Sequence, residues 1–307
     1  MNESDILISL EFPLADLSSY LGKTVSITGY YLWTSTGETD NLVVEVILDD
    51  LTVAGTSSPA SNTANCYIVS SSGIYSFDTV KGNSTESVGK VASAEVLWES
   101  FGTDVAPSVG DLISSVSYLS DKISYTVASP FKEGNAVIAA KDASGTILWS
   151  WHIWMTDMPE EQVYANNAGI LMDRNLGATS ATPGDVGTYG LYYQWGRKDP
   201  FLGATNNDQE SKSTNIWPSS VKTSSTTGTI DYAIKHPMTF ISYSAVNYDW
   251  CMTSDYTRWG SDKTIYDPCP SGWRVPDGGR EGFWAKSGLM NSDTNDYYHW
   301  WAYQSQY

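Results

Sequence analysis

The fold is decided by the stretch Ile147-Leu148-Trp149-Ser150-Trp151-His152-Ile153-Trp154. Successive side chains of a β-strand point to opposite faces of its sheet. The odd-numbered residues of this stretch are all apolar and would share one face, while the other face combines Ser150 and His152 with Trp154. Because large side chains occur on both faces, we expect a strand that is at least partly covered on both sides.

Short segments rich in β-branched and aromatic residues precede this stretch, and turn-forming Gly, Asn, Asp and Pro separate them. The strands that we expect are Cys66–Val69, Gly73–Phe77, Glu95–Glu99, Ile113–Tyr118, Lys122–Val127, Asn135–Asp142 and Ile147–Trp154. This spacing is typical of a β-sandwich. We therefore assign a sandwich to residues 64–158.

Different patterns flank the predicted sandwich. In residues 1–55, apolar and polar residues alternate over Val25–Tyr30, and Leu42–Leu48 has the composition of a buried strand. The segment Leu21–Tyr30 resembles the opening strands of small five-stranded barrels. We expect an N-terminal strand unit there, in the form of a partial OB-like barrel.

Residues 159–307 contain long polar loops between short aromatic clusters. We expect two helices, Tyr232–Lys235, which His236-Pro237 would end, and Glu281–Ser287, which carries Phe283 and Trp284. The sequence thus predicts a mainly β protein in three parts, a strand unit, a β-sandwich and a loop-rich α+β domain.

The charge of the chain limits its partners. Acidic residues outnumber basic ones 35 to 17, which gives a formal net charge of −18. A surface this acidic repels phosphate backbones and anionic lipid headgroups, so we expect no nucleic-acid partner. Residues 1–158 hold 19 acidic and 6 basic side chains and residues 159–307 hold 16 and 11, a shift that supports a boundary near residue 158.

Several motifs resemble known surface proteins. The segments Asn65–Val69, Gly73–Phe77 and Val80–Asn83 resemble the β-sandwich module of fimbrillin-type proteins from gut anaerobes. The segments Leu171–Ala178, Gly190–Pro200 and Asp267–Pro276 resemble the major paralogous domain, abbreviated FISUMP. This resemblance implies a fold similar to C-type lectins and to sulfatase-modifying factors, in an exported protein that is lipid-anchored or part of a pilus tip.

The sequence departs from that family after Pro276, where the family continues with a Gly-Tyr-Arg and a Tyr-Trp-Ser segment that do not occur before Tyr307. We therefore expect the domain at 159–307 to be truncated at its C-terminus. The start, Met1–Asp5, lacks the basic and apolar regions of a secretory signal. An extracellular or outer-surface location would thus require a signal or lipid-anchor segment that is not in this chain. No apolar run in the sequence is long enough to span a membrane.

The sequence offers little for catalysis. Its three histidines, His152, His236 and His299, are far apart, and no nucleophile or phosphate-binding motif occurs. Sulfatase-modifying relatives depend on a late cysteine pair, and no such pair follows Cys269. We therefore expect no enzyme activity and no cofactor. We also expect no metal, because the calcium-binding triplets of C-type lectins are absent and Asn247–Trp250 is the nearest segment to them. Cys251 and Cys269 could form a disulfide or remain buried thiols.

Aromatic residues are the strongest chemical feature, with 13 Trp and 20 Tyr. Each combines a large apolar face with a polar group, which suits sugar stacking or a protein interface. We expect Trp195, Trp273 and Trp284 in the core, and Arg174 and Arg274 in structural hydrogen bonds. The ligand-contact candidates, which lie among polar residues, are Tyr248, Asp249, Trp250, Trp259, Tyr297, Tyr298, Trp300 and Trp301.

These observations favour a non-enzymatic cell-surface adhesion or recognition protein that binds a glycan or a protein through aromatic loops. One alternative is a structural pilus subunit that contacts other subunits by strand addition at an open sheet edge. The other alternative is a glycan-processing or sulfatase-modifying enzyme whose active site lies in residues beyond this chain.

Overall fold

A computed structural model describes residues 25–32, 43–53, 63–202, 212–214, 220–243, 248–278 and 282–288. The chain divides into two compact units, Met1–Ser57 and Ser58–Tyr307. In the first unit, β1 (Val25–Leu32) and β2 (Val43–Val53) form an antiparallel pair. Both strands expected there are confirmed, whereas the OB-like barrel stays a prediction.

The second unit contains a β-sandwich of seven strands. They are β3 (Cys66–Val69), β4 (Gly73–Asp78), β5 (Ser93–Ser100), β6 (Ile113–Leu119), β7 (Lys122–Val127), β8 (Gly134–Lys141) and β9 (Ile147–Met155). All seven expected strands are confirmed, with ends that differ by no more than two residues.

The seven strands form two sheets, with the orders β3-β9-β8-β5 and β4-β7-β6. Strand β3 runs parallel to β9, and every other pair in the sandwich is antiparallel. This connectivity is that of an immunoglobulin-like sandwich whose first strand lies beside its last.

Aromatic side chains fill the space between the two sheets. The ring of Phe77 on β4 lies 4.8 Å from that of Tyr67 on β3 and 4.9 Å from that of Trp151 on β9. Trp149, Trp151 and Ile153 on the inward face of β9 are all buried. Truncation of a core tryptophan such as Trp151 to alanine would cost about 3–5 kcal/mol, because it leaves a cavity in a close-packed interior.

The outer face of the four-stranded sheet is also covered. Ser150, His152 and Trp154 are buried on that face. Trp154 Nε1 donates to the carbonyl oxygen of Ala178 at 2.9 Å, so the segment that follows the sandwich packs directly on β9. The prediction that this strand is covered on both sides is confirmed.

Short elements make up the described part of residues 159–288. The strand pairs are β10 (Glu161–Tyr164) with β11 (Gly169–Met172), β12 (Tyr192–Tyr193) with β13 (Pro200–Phe201), and β14 (Val221–Lys222) with β15 (Ile241–Ser242). The β10–β11 hairpin turns at Asn166 and Asn167, whose φ angles of 59° and 55° are those of the turn that matches strand twist.

The helices are α1 (Ile230–Lys235) and α2 (Phe283–Lys286), and single 3₁₀ turns occur at Val186–Thr188 and Tyr256–Trp259. Both expected helices are confirmed, although α1 begins two residues earlier than expected because the side chain of Thr229 caps it. The protein is mainly β, as predicted, and no helix in the described ranges is long and apolar enough to cross a membrane.

Candidate functional site

The motif Gly190–Pro200 brings Arg197 into the interior, where it holds the end of α1. Its guanidinium donates to the carbonyl oxygens of Ala233 (3.2 Å), His236 (2.7 Å) and Thr239 (2.8 Å). The last carbonyls of a helix have no partner within the helix, and a cation there is favourable. Arg197 therefore anchors α1 and the chain that leads from it into β15.

The next two residues of the motif form a buried polar cluster with β9. Lys198 Nζ donates to Ser150 Oγ at 2.7 Å, and Ser150 Oγ donates to Asp199 Oδ1 at 2.7 Å. A serine beside a lysine can act as a nucleophile and its base in some hydrolases. Here all three side chains are buried and the hydroxyl proton is directed to Asp199, so the cluster joins the motif to the sandwich.

The loop Asp267–Pro276 is organised around a second lysine. Lys263 Nζ donates to the carbonyl oxygens of Cys269 and Pro270, both at 2.8 Å, and to that of Trp273. Asn65, just before β3, donates through Nδ2 to the carbonyl oxygen of Asp267 at 2.8 Å. This loop is therefore held against the edge of the four-stranded sheet.

The three cysteines are buried thiols, and Cys251 and Cys269 are not bridged. Cys251 Sγ instead accepts a hydrogen bond from Arg258 at 3.5 Å. Burial raises the pKa of the Cys66 and Cys269 thiols above the ordinary value, which keeps both groups protonated and unreactive.

Two predicted ligand contacts, Trp250 and Trp259, lie in the interior. They are 4% and 9% exposed, and their indole nitrogens donate to the carbonyl oxygens of Trp195 (2.7 Å) and Tyr266 (2.8 Å). These rings fill the core and have little surface left for a ligand. In contrast, Trp195, Trp273 and Trp284, which were expected in the core, are half-buried.

Arg258 supports Trp250 from below the surface. Its guanidinium lies 5.8 Å from the centroid of the Trp250 ring, as does that of Arg197, and it donates to the carbonyl oxygen of Thr253 at 2.9 Å. Gly196 has a φ of +70°, and a Cβ at this position would lie 3.0 Å from Arg258 Cβ. The glycine therefore permits the close approach of the two segments.

Tyr248 is the one aromatic candidate among the described residues that is exposed, with 78% of its surface accessible. Its ring lies 5.8 Å from the ring of Tyr243, which is 61% exposed. Met252 and Tyr256 are exposed in the same stretch of chain. We refer to these four exposed side chains, of which Tyr243 and Tyr248 are neighbouring rings, as the 243–256 surface.

The backbone of Tyr248 is in the left-handed region, with a φ of 53°. A bulky side chain rarely adopts this conformation, which costs about 1–3 kcal/mol. Asp249 beside it is half-buried, and its Oδ1 accepts a hydrogen bond from the backbone of Cys251 at 3.1 Å. This turn directs the Tyr248 ring outward while the next tryptophan enters the core.

The remaining predicted ligand contacts, Tyr297, Tyr298, Trp300 and Trp301, lie outside the described residues. Tyr243 and Tyr256 were not among the candidates, although both have the polar neighbours that were used to select Tyr248. Arg174 and Arg274 make the structural hydrogen bonds that were predicted, to Asp173 (2.8 Å) and Asp277 (2.7 Å) respectively.

Within the described ranges, no group of three His, Cys, Asp or Glu side chains is arranged to hold a metal ion. The resemblance to the fimbrillin and major paralogous domains stays a prediction. No protein-family model, no curated protein and no solved structure matches this chain.

Proposed function

We propose that this chain is part of an extracellular recognition protein that binds a glycan, without catalysis, through the 243–256 surface. The observation that carries the proposal is the exposed Tyr248 beside Tyr243, presented on a backbone in the left-handed region. Residues held in rarely populated conformations cluster at ligand sites, where the surrounding structure maintains them.

The chemistry of tyrosine supports a glycan as the ligand. A tyrosine ring offers an apolar face that can pack against the C–H face of a sugar, and its hydroxyl can bond to sugar hydroxyls. Two neighbouring rings, such as Tyr243 and Tyr248 at 5.8 Å, offer a contact area larger than either ring alone. Exposed apolar side chains grouped in this way are typical of interaction sites.

The support beneath this surface favours binding further. Trp250 follows Tyr248 by two residues and is buried, with its indole nitrogen bonded to Trp195 and two guanidinium groups beside its ring. A ligand site on a rigid base loses less conformational entropy on binding than a site on a mobile loop. The buried Ser150–Lys198 pair is consistent with a structural role for the polar cluster.

The test is a glycan array with the full chain and with Tyr248→Ala. We expect selective binding that is weakened about tenfold in the variant, because one stacking contact is worth about 1.4 kcal/mol. The matched control is Tyr118→Ala, which removes a half-buried tyrosine of β6 in the sandwich and leaves the 243–256 surface intact. Binding of equal strength by Tyr248→Ala and the unmodified chain would contradict the proposal.

A further variant, Trp300→Ala with Trp301→Ala, tests the candidates that lie outside the described residues. If they share the site, this double variant also weakens binding. If binding is unchanged, Trp300 and Trp301 are not part of the site.

A second candidate function, a structural pilus subunit, draws support from the three-stranded sheet. Within the described ranges, β4 and β6 each pair on one side only, and Ile74 on β4 is exposed. An open groove of about 710 Å³ borders the start of β4 and is also lined by Asp111 and Lys132. Such edges can accept a strand from another subunit.

Sedimentation at rising protein concentration tests this second function. Oligomers that persist at high salt and are lost in Ile74→Lys would favour the pilus subunit, because a lysine on an edge strand opposes strand addition. A monomer at every concentration would count against it.

A further inference from the structure

Resting on the proposed function, we infer that the ligand of the 243–256 surface is an uncharged glycan, built from neutral hexose or N-acetylhexosamine units without carboxylate, sulfate or phosphate groups. The inference comes from the cations near this surface, because an anionic sugar needs a positive group to replace its hydration.

Arg258 is the only arginine between residues 220 and 262. Recognition of carboxylate or sulfate commonly uses the planar fork of a guanidinium group. Arg258 is buried, and its donors are directed to the carbonyl oxygen of Thr253 (2.9 Å) and to Cys251 Sγ (3.5 Å), with Asp255 at 3.8 Å. Its guanidinium is therefore engaged inside the protein and does not face a ligand.

Of the two lysines nearest in sequence, one is held inside the protein and one is exposed. Lys263 Nζ is surrounded by three backbone carbonyl groups of the loop that follows it. Lys235 Nζ lies 2.8 Å from Asp231 Oδ2, one turn earlier on α1, in an exposed pair that contributes little.

Lys222 is a second exposed cation, opposite Ser242 in the β14–β15 pair. Asp249 and Asp262 lie in the same part of the sequence, and the whole chain has a formal charge of −18. Exposed lysines such as Lys222 and Lys235 form weak, salt-screened contacts, whereas the summed negative field repels anions over a longer range. The balance favours a neutral ligand.

The four side chains of the 243–256 surface, three tyrosines and a methionine, carry no charge, and the residues directly beside Tyr248 and Tyr256 include the acids Asp249 and Asp255. Ring faces and phenol hydroxyls match the C–H faces and hydroxyl groups of neutral sugars. Binding of this kind depends little on ionic strength.

The experiment measures binding of the full chain to neutral oligosaccharides, each paired with its sulfated or sialylated derivative, at about 0.05 and about 0.5 M salt, across which screening of charges changes strongly. We expect the neutral member of each pair to bind about tenfold or more tightly, with less than about a twofold change with salt. Lys222→Ala, the matched charge variant, should leave this binding unchanged, and Tyr248→Ala should weaken it about tenfold.

Preferential binding of the sulfated or sialylated derivatives, weakened by salt and by Lys222→Ala, would overturn the inference and leave the proposed function in place. Failure of every oligosaccharide, neutral or anionic, to bind a chain shown to be folded by circular dichroism would overturn the proposed function and the inference together.

Discussion

Mild acid should destabilise the sandwich through His152. This residue is buried between β9 and the segment that covers it. Asn135 Nδ2 donates to the carbonyl oxygen of Gly177 at 2.9 Å, so Asn135 Oδ1 is left to accept from His152 Nε2 at 2.8 Å. The proton of the neutral ring is therefore on Nε2, and a second proton would go to Nδ1, which has no hydrogen-bond partner within the described part of the chain.

The sign and size of the effect follow from the pKa. Burial lowers the pKa of His152 from 6.5 to about 3, so below pH 6.5 the unfolded chain binds a proton that the native chain does not. The stability contributed by the neutral ring is present above pH 6.5 and is lost as the pH falls toward the native pKa. Between about pH 7.5 and about pH 5, the free energy of unfolding should fall by about 2 kcal/mol.

The assay is denaturant unfolding, followed by tryptophan fluorescence at intervals across this pH range. Carboxyl groups whose pKa is lowered, such as that of Asp157, stay ionised over this range. The control is His152→Gln, whose amide nitrogen can still donate to Asn135 but does not titrate. We expect this variant to be less stable at neutral pH and to lose most of the pH dependence. An equal slope in both proteins would refute the assignment to His152.

Three further predictions concern the interior. Asp199→Asn should lower the free energy of unfolding by about 3–5 kcal/mol, because it removes the acidic partner of the buried Lys198. Gly196→Ala should also destabilise the fold strongly and disturb the 243–256 surface, since φ is +70° and the added Cβ would lie 3.0 Å from Arg258 Cβ. Cys66 should react with a thiol reagent only after unfolding, because the buried thiol has a raised pKa.

Each of these has a matched comparison. For Asp199→Asn, the comparison is Lys122→Ala, which breaks the exposed pair with Asp78 and should lower the free energy of unfolding by under about 1 kcal/mol. If both variants lowered the free energy of unfolding equally, the Asp199 cluster would not be held as described. Gly145→Ala adds a Cβ where no atom lies within 4 Å, at a φ of +84°, so it isolates backbone strain from the steric contact made at Gly196. Rapid labelling of the native chain at Cys66 would contradict its burial.

The strands of the sandwich were predictable because strand formation depends on local alternation. In β9, the period of two predicts Trp149 and Trp151 on one face and His152 on the other. In the structure these side chains are buried on the two faces as predicted. The end of α1 was likewise predictable, since Pro237 excludes the helical conformation just before it. These signals act between residues close in the chain.

Tertiary contacts decided which aromatic residues of the loops are exposed and which are buried. Tyr248 and Trp250 have the same polar neighbours in sequence, yet one ring is exposed and the other is enclosed by Trp195, Arg197 and Arg258. The partner that accepts the Trp250 indole proton lies 55 residues earlier in the chain.

The sequence alone determined the mainly β fold, the strand positions and the negative charge, because hydrophobic period, turn residues and ionisable groups are properties of the chain itself. Only the tertiary structure decided which tyrosines face solvent and which arginine and lysine groups are engaged, because burial and pairing depend on segments that meet in space from distant positions.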